Sequence, residues 1–178
     1  MFNVSARNDL KLQSDLCESL FIEINLQQQK NVIVGIIYRD PKSSIADFNI
    51  QFNKLLESFH KENKQIYLMG DVNIDLIKCS LSKNINDFIN IVYDNAFHSV
   101  IDKPTRITRS SASLIDHIFT NVVSKQMYSG ILYSDITDHL PVFLIVNNFF
   151  FQYMILFLHF STSIQESNII INSIQNMN

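Results

Sequence analysis

The sequence predicts a mixed α/β fold, because apolar runs of strand length alternate with two amphipathic stretches of helical period. Strands outnumber helices, and hairpin-like neighbours alternate with helical crossovers. That order indicates a mixed sheet in a layered α/β or α+β domain. A chain of 178 residues is long enough to form one domain with a sizeable core.

Two strands are predicted near the start of the chain, at residues 18–26 and 32–38. The first places alternate aliphatic residues on one face, whereas the second is apolar and β-branched almost throughout. A continuous apolar run is typical of a central strand that is covered on both faces. The short polar link at residues 27–31 predicts an antiparallel hairpin. The second strand is expected to end before Pro41, because proline cannot continue a central ladder.

Two amphipathic helices are predicted, at residues 44–61 and 82–96. In the first, Ser44 followed by Asp47 resembles a capping box with aspartate in place of the usual glutamate. Each helix carries one apolar stripe at helical spacing. The stripes comprise Ile45, Phe48, Phe52, Leu55, Leu56 and Phe59 in the first helix, and Ile85, Phe88, Ile89, Val92 and Tyr93 in the second.

A buried strand is predicted at residues 65–69, between the two helices, and it ends at Gly70. Shorter strand candidates follow the second helix, separated by polar loops at residues 102–112 and 134–139. These candidates are residues 98–101, 113–121, 127–133 and 142–146.

Asp71 and Asn73 come directly after the strand at residues 65–69. If the chain stays extended there, both side chains project from the same face. A carboxylate can hold a hard cation and an amide can donate to a phosphate oxygen, and open α/β folds place ligands at the carboxyl ends of strands. The pair therefore predicts a ligand site, although a strand that ends in a Gly-Asp turn explains the same residues.

Other polar residues lie within or at the ends of apolar strands. Asp116 interrupts such a strand, where a carboxylate is costly to bury unless it is paired. His139 is the candidate partner of Asp116, because a carboxylate fixes the tautomer of an imidazole. Asp138, the neighbour of His139, would point to the opposite side and is a candidate metal ligand. Tyr38 ends the second strand. Taken singly, each residue also has a structural explanation, either a hydrogen-bonded buried aspartate or an ordinary Asp-His loop.

Composition restricts the function only weakly. Apolar residues make up 47% of the chain and charged residues 17%, which is ordinary for a soluble protein. The net charge of −3 provides no basic footprint for nucleic acid, although metal ions can meet phosphates in a nuclease. Cys17 and Cys79 are far apart in sequence, so two free thiols are expected. Residues 1–15 show no apolar core of signal-peptide length, which predicts an intracellular protein of the nucleus or cytoplasm.

The tail at residues 147–178 differs from the rest of the chain. Residues 149–160 are mostly aromatic and aliphatic, and a polar stretch follows them. This run is too short for an ordinary membrane span. A hydrophobic appendage is the favoured interpretation, and membrane attachment through residues 149–160 is the alternative.

Three ordered motifs together resemble a known family. Residues 69–73 (Met-Gly-Asp-Val-Asn), 113–119 (Ser-Leu-Ile-Asp-His-Ile-Phe) and 134–141 (Ser-Asp-Ile-Thr-Asp-His-Leu-Pro) look like the later motifs of the endonuclease/exonuclease/phosphatase superfamily. The match is closest to the apurinic-like endonuclease domain of non-LTR retrotransposons, since residues 37–41 and 103–108 also resemble that branch. The resemblance runs from about residue 16 to residue 146.

The resemblance implies a four-layer α/β sandwich, in which two packed sheets are flanked by helices, and hydrolysis of DNA phosphodiesters with Mg²⁺ or Mn²⁺. In that family pattern each matching residue has a role. Asp71 orients the attacking water, Asn73 and Tyr38 contact the phosphate, His139 contacts the phosphate or acts as acid and base, Asp116 holds His139, and Asp138 takes part in metal binding.

The chain departs from the family pattern at its start. The family's domain normally begins with strands that carry an asparagine and then a metal-binding glutamate, and neither motif precedes residue 18. Glu18 and Glu23 lie in what the resemblance makes a later, structural strand. The expected organisation is a poorly defined segment at 1–15, an N-terminally incomplete domain at 16–146 and an extension at 147–178. A weakened metal site and an inactive or slow enzyme are expected.

Two other functions compete with a DNA endonuclease. One is a phosphomonoesterase or lipid phosphatase on the same fold, because one scaffold hosts several substrates. The other is a non-catalytic fragment that binds partners or membranes through residues 149–160. Phosphate release, DNA nicking and membrane partitioning distinguish the three.

Overall fold

The computed structural model describes residues 3–12, 17–27, 29–123, 126–135 and 137–146, and the backbone of residues 153–159 and 168–174. These residues form two α-helices and a series of strands, with short 3₁₀ segments at Asn8–Leu10 and Leu76–Leu81. The helices are α1 (Ile45–Phe59) and α2 (Lys83–Asp94). The strands are β1 (Asn3–Ala6), β2 (Cys17–Asn25), β3 (Val32–Arg39), β4 (Gln65–Asp71), β5 (His98–Ser99), β6 (Arg106–Ile107), β7 (Ala112–Ser113), β8 (Asp116–Thr120), β9 (Met127–Ile131), β10 (Val142–Val146), β11 (Tyr153–His159) and β12 (Asn168–Ile174).

The larger sheet has six strands in the order β1-β2-β3-β4-β8-β5. Strands β2 and β3 form the expected antiparallel hairpin, and β3 and β4 run parallel because α1 crosses over between them. Strand β3 is buried along nearly its whole length, as its continuous apolar sequence predicts. Strand β4 pairs antiparallel with β8, and this pairing brings the polar ends of both strands together.

Both helices pack on one face of the large sheet. Helix α1 begins after Ser44, whose side chain accepts a hydrogen bond from the Asp47 N–H, as the capping pattern predicts. Aromatic rings dominate the contact between the helices and the sheet, with ring centroids 5.3 to 6.4 Å apart. The rings belong to Phe21, Phe48, Phe52, Phe59, Phe88 and Phe119.

The opposite face of the large sheet packs on a second sheet, in the order β12-β11-β10-β9. Val142, Leu144 and Val146 of β10 are buried in this contact, and they meet Tyr67 and Ile118 of the large sheet. The mixed α/β sandwich that the sequence predicts is therefore confirmed. Two sheets face each other, and the two described helices cover the outer face of the larger one.

Several element boundaries differ from the sequence predictions. Strand β4 continues through Gly70 to Asp71, because its ladder with β8 extends to that residue. The polar loop at residues 102–112 contains the short hairpin β6–β7, whose pairing no apolar period indicates. Asp75 caps the 3₁₀ turn at Leu76–Leu81, in agreement with its interpretation as a turn or helix-start residue.

The described parts of the tail are two strands. Strand β11 pairs with β10, and β12 pairs with β11, so both described parts of the tail extend the second sheet. The membrane interpretation rests on residues 149–160, of which 149–152 and 160 lie outside the described residues. Within the described part of the chain, no helix has the length and hydrophobicity that a membrane crossing requires.

Candidate active site at the ends of β4 and β8

Asp71 and Asp116 lie directly opposite each other in the ladder between β4 and β8. Opposite residues of an antiparallel pair project their side chains on the same face, so the two carboxylates become neighbours. Both are buried, with 5% of Asp71 and 1% of Asp116 exposed. Sequence spacing alone could not pair these residues, because 44 intervening positions separate them and the strand register brings them together.

His139 completes this group from the loop before β10. Its Nδ1 lies 3.1 and 3.2 Å from the two carboxylate oxygens of Asp116, and 4.0 Å from Oδ2 of Asp71. Burial disfavours the charged ring, but the hydrogen bond and negative charge of Asp116, with the charge of Asp71, raise the pKa of His139 above its usual value. The Asp116–His139 pairing that the sequence predicts is therefore present.

The pKa of Asp71 is raised to about 7. Burial is the main cause, and the neighbouring charge of Asp116 adds to it. His139, the N–H of Asn73 and Arg106 act in the opposite direction. Two adjacent carboxylates thus carry more negative charge than their surroundings balance, and this arrangement favours a cation or a proton.

Asn73 does not continue the extended chain that the sequence interpretation assumed. Its φ angle of 50° lies in the left-handed region, so Asp71 and Asn73 do not share the face of one strand. The Asn73 N–H donates to Oδ1 of Asp71, and its side-chain Nδ2 donates to the Arg39 carbonyl, both over 2.9 Å. The two residues are joined by a tight turn instead.

Thr105 holds the Asp116 backbone in place, and sequence reasoning did not single it out. Its fully buried Oγ1 accepts hydrogen bonds from the N–H groups of Ile115 and Asp116, over 3.3 and 3.0 Å. Its carbonyl accepts from the N–H of Leu140, next to His139. One residue therefore links the segments that carry Asp116 and His139. Its place in the Pro-Thr-Arg segment was the available signal.

His117, the neighbour of Asp116 in β8, supports the turn after β4. Its buried Nε2–H donates to the carbonyl of Ile74 over 3.0 Å, and its ring stacks on Phe119. Burial lowers the pKa of His117 to about 4, so the ring is neutral at neutral pH. It is a structural histidine.

Asp138 lies apart from the carboxylate pair. Its Oδ2 accepts a hydrogen bond from Nε of Arg106 over 2.7 Å, and this contact holds the pKa of Asp138 below its usual value. Both side chains are more than two-fifths exposed. Among the described residues Asp138 is not part of the group formed by Asp71, Asp116 and His139, and its metal-binding role stays a prediction.

Tyr38 lies near enough to Asp71 for the two to interact electrostatically. Burial, followed by the negative charges of Asp71 and Asp40, raises the pKa of the Tyr38 phenol. The hydroxyl is therefore neutral at physiological pH and is available as a hydrogen-bond donor.

Known structures share this architecture. The chain is similar to the endonuclease domain of TRAS1, a telomere-specific non-LTR retrotransposon, with a TM-score of 0.61 and 14% identity over 80% of this chain and 65% of that one. It is also similar to an endonuclease/exonuclease/phosphatase family protein from Leptotrichia buccalis C-1013-b, with a TM-score of 0.57 and 14% identity over 83% and 61% of the two chains.

The chain has the endonuclease/exonuclease/phosphatase fold. A mannosyl-6-phosphatase from Bacteroides thetaiotaomicron VPI-5482 shares it at a TM-score of 0.50 and 16% identity, over 82% of this chain and 65% of that one. The chain spans less than two thirds of the length of these structures. No protein-family model and no curated protein matches the sequence.

The endonuclease/exonuclease/phosphatase fold here brings three of the predicted site residues into one group. One ligand atom from each of Asp71, Asp116 and His139 lies within 4.8 Å of the others. Carboxylate oxygens are the ligands that Mg²⁺ and Mn²⁺ prefer, and a cation would offset the repulsion between the neighbouring carboxylates of Asp71 and Asp116. The donor set therefore fits a divalent metal ion.

Proposed function

We propose that the chain hydrolyses phosphodiester bonds of DNA with the help of a divalent metal ion. The observation that carries the proposal is the buried group of Asp71, Asp116 and His139 at one end of the sandwich. The ordered sequence motifs and the similarity to a retrotransposon endonuclease domain support DNA as the substrate class. Retrotransposon-type endonuclease activity is the specific form we propose.

The carboxylates of Asp71 and Asp116 would hold Mg²⁺ or Mn²⁺. A bound divalent ion neutralises the charge that develops on phosphoryl oxygens during hydrolysis. Among the described residues no glutamate joins this group, and Glu18 instead lies opposite Tyr38 in the hairpin of β2 and β3. Because Mg²⁺ keeps several waters when protein ligands are few, we expect weak metal affinity and slow cleavage rather than none.

The protein's own groups divide the proton transfers between them. Asp116 accepts the Nδ1–H of His139, which leaves Nε2 of the ring to exchange a proton with substrate or water. Oδ2 of Asp71 lies 4.0 Å from Nδ1 of His139 and would accept a hydrogen bond from the attacking water. The Tyr38 hydroxyl and the second Nδ2–H of Asn73 supply donors for phosphate oxygens.

Nicking of supercoiled DNA tests this proposal. The full chain is incubated at high concentration with Mg²⁺ or Mn²⁺, beside His139→Ala and a control, His60→Ala. His60 is an exposed histidine after α1, at the opposite end of the sheet from the site. We expect slow nicking by the wild type and by His60→Ala, a loss of about 100-fold in His139→Ala, and none with EDTA. Equal nicking by all three proteins identifies a contaminant and rejects the proposal.

A phosphomonoesterase is the second candidate. The similarity to a mannosyl-6-phosphatase favours it, because that protein has the same fold and is named as a phosphatase. Phosphate release from small phosphomonoesters, absent in His139→Ala and without DNA nicking, would establish this alternative. Neither activity at any metal concentration would favour a non-catalytic role.

A further inference from the structure

Arg39, the last residue of β3, is a buried cation beside the candidate site. Only 1% of its surface is exposed. A buried guanidinium is costly unless its donors are paired, so its surroundings must supply acceptors. Among the described residues no carboxylate lies within ion-pair distance of Arg39, and its partners are uncharged oxygens.

The guanidinium joins the segments that follow two parallel strands. On one side, Nε donates to the Val72 carbonyl over 2.6 Å and Nη2 donates to the Asn73 carbonyl over 2.8 Å. On the other, Nη1 donates to the Ser43 carbonyl and hydroxyl and to the Asp40 carbonyl, over 2.6 to 3.1 Å. The planar guanidinium, whose N–H donors have fixed directions, matches these acceptor oxygens, whereas the ammonium group of a lysine does not.

These contacts determine the conformation of the turn that carries Asn73. The Val72 and Asn73 carbonyls both point at the guanidinium, so the peptide groups on either side of Asn73 are held at its left-handed φ of 50°. That conformation aims the Asn73 N–H at Oδ1 of Asp71. The Arg39 carbonyl also accepts from Nδ2 of Asn73, so the same residue orients the Asn73 side chain.

We propose that Arg39 is a positioning residue of this site, whose guanidinium sets the turn at Val72 and Asn73 and thereby aims Asn73 and Asp71 at the phosphate. The catalytic consequence rests on the proposed phosphodiesterase function, whereas the control of the turn stands on geometry alone. Arg39 does not touch the reacting atoms. Its effect passes through Asn73.

Two substitutions and one control test this role. Arg39→Lys keeps the positive charge but loses the planar set of N–H donors, and Arg39→Met removes both. Thr120→Val is the control. The buried Thr120 hydroxyl donates a hydrogen bond to the Ile66 carbonyl at the other end of β4 from the site. Its loss should therefore destabilise the fold without a direct effect on the site. For each protein we would measure the unfolding midpoint, kcat and KM for DNA nicking, and the amide resonances of Asn73 in ¹H–¹⁵N spectra.

We expect both Arg39 variants to shift the backbone and side-chain resonances of Asn73, and Thr120→Val to leave them in place. We also expect kcat to fall about 100-fold in both variants, with KM changed less than about twofold, because a misplaced group loses transition-state contacts. A kcat restored by Arg39→Lys, or unchanged Asn73 resonances in either variant, would overturn the proposal. If Arg39→Met does not fold, Arg39→Lys decides. If the wild type does not nick DNA, the proposed function fails, and the Asn73 resonances alone decide the role of Arg39.

Discussion

Strand register brings the carboxylates of Asp71 and Asp116 together, and the surrounding residues offset part of their negative charge. His139 contacts Asp116, the Asn73 N–H contacts Asp71, and the positive charge of Arg106 acts on Asp71 and on His139. The pKa of Asp71 nevertheless stays raised, mainly because the carboxylate is buried and also because Asp116 lies beside it. Two neighbouring carboxylates in a buried site are suited to binding a divalent metal ion.

Gly70 allows the strand that carries Asp71 to approach β3. A Cβ atom at Gly70 would lie 1.8 Å from the backbone oxygen of Ile37, whereas a Cβ at Gly35 would meet side-chain atoms of Phe21 at 2.5 Å. A phenyl ring can turn away, but a carbonyl in a central strand cannot. We therefore expect Gly70→Ala to destabilise the protein by about 3 kcal/mol or more, and Gly35→Ala by clearly less. Urea unfolding measures both, and equal losses would contradict the backbone argument.

At the level of elements, β3, β4 and β8 carry the site, and an ion cluster anchors the far end of the same sheet. Arg7 and Lys64 each pair with Glu23 of β2 and with Glu62, which lies between α1 and β4. These side chains are 10% to 22% exposed, so their pairs are screened less than those of a fully exposed surface. The cluster ties the end of the helix to the edge of the sheet.

The acid sensitivity of folding tests this cluster. The hydrogen bond from Arg7 is the main cause that holds the pKa of Glu62 below 4.5 in the folded protein. A depressed carboxyl pKa contributes stability above the unfolded value, and that stability is lost as the pH falls through the folded value. We expect Glu62→Gln to lower the free energy of unfolding by about 1 kcal/mol at pH 7, and the difference from wild type to vanish well below pH 4.5.

Urea unfolding between pH 7 and pH 3 measures that difference. Glu57→Gln is the matched control, because Glu57 lies on the exposed side of α1 and its carboxylate accepts a hydrogen bond from Asn53, a neighbour in the same helix, and forms no ion pair among the described residues. We expect this control to change stability little at any pH. A Glu62→Gln deficit that persists unchanged to pH 3 would show that the effect does not come from the carboxylate charge.

At the scale of the whole molecule, the sandwich depends on a second sheet whose inner strand is β10. Val142, Leu144 and Val146 of β10 pack on the large sheet, while β9 and β11 pair with its two edges. His139 lies just before β10, so the position of that strand also sets the position of the imidazole. The tail is therefore connected to the site through the second sheet.

Removal of the tail tests this connection. Deletion of residues 147–178 takes away β11 and leaves one edge of β10 unpaired, which promotes association between chains. We expect a lower unfolding midpoint and oligomers in light scattering. Deletion of residues 168–178 is the control, since it removes β12 and leaves β10 paired with β11. A monomeric 147–178 deletion with the midpoint of the full chain would show that β11 does not support the fold.

Sequence periodicity was sufficient for the central elements. The apolar run of β3, the stripe of α1 and the cap at Ser44 form where the pattern predicts them, because each depends on neighbours within one strand or helix. The stripe of α2 is confirmed at Ile85, Phe88 and Val92, but Tyr93, which the same period includes, is 58% exposed. The three motifs likewise predict one site that contains Asp71, Asn73, Asp116, Asp138 and His139, and the structure brings ligand atoms of Asp71, Asp116 and His139 together. Short strands such as β6 and β7 carried no such pattern, since their pairing depends on a partner elsewhere.

Tertiary structure alone decided how the site is assembled. Asp71 and Asp116 lie opposite each other because of the register between β4 and β8. The turn at Asn73 depends on the hydrogen bonds that Arg39 of the neighbouring strand donates to the Val72 and Asn73 carbonyls. The carboxylate of Asp138 likewise meets the guanidinium of Arg106, which lies 32 positions away in the sequence. A sequence period shows which face a side chain occupies, but not which distant backbone groups and charges meet it there, and those contacts determine the chemistry of Asp71, Asn73 and Asp138.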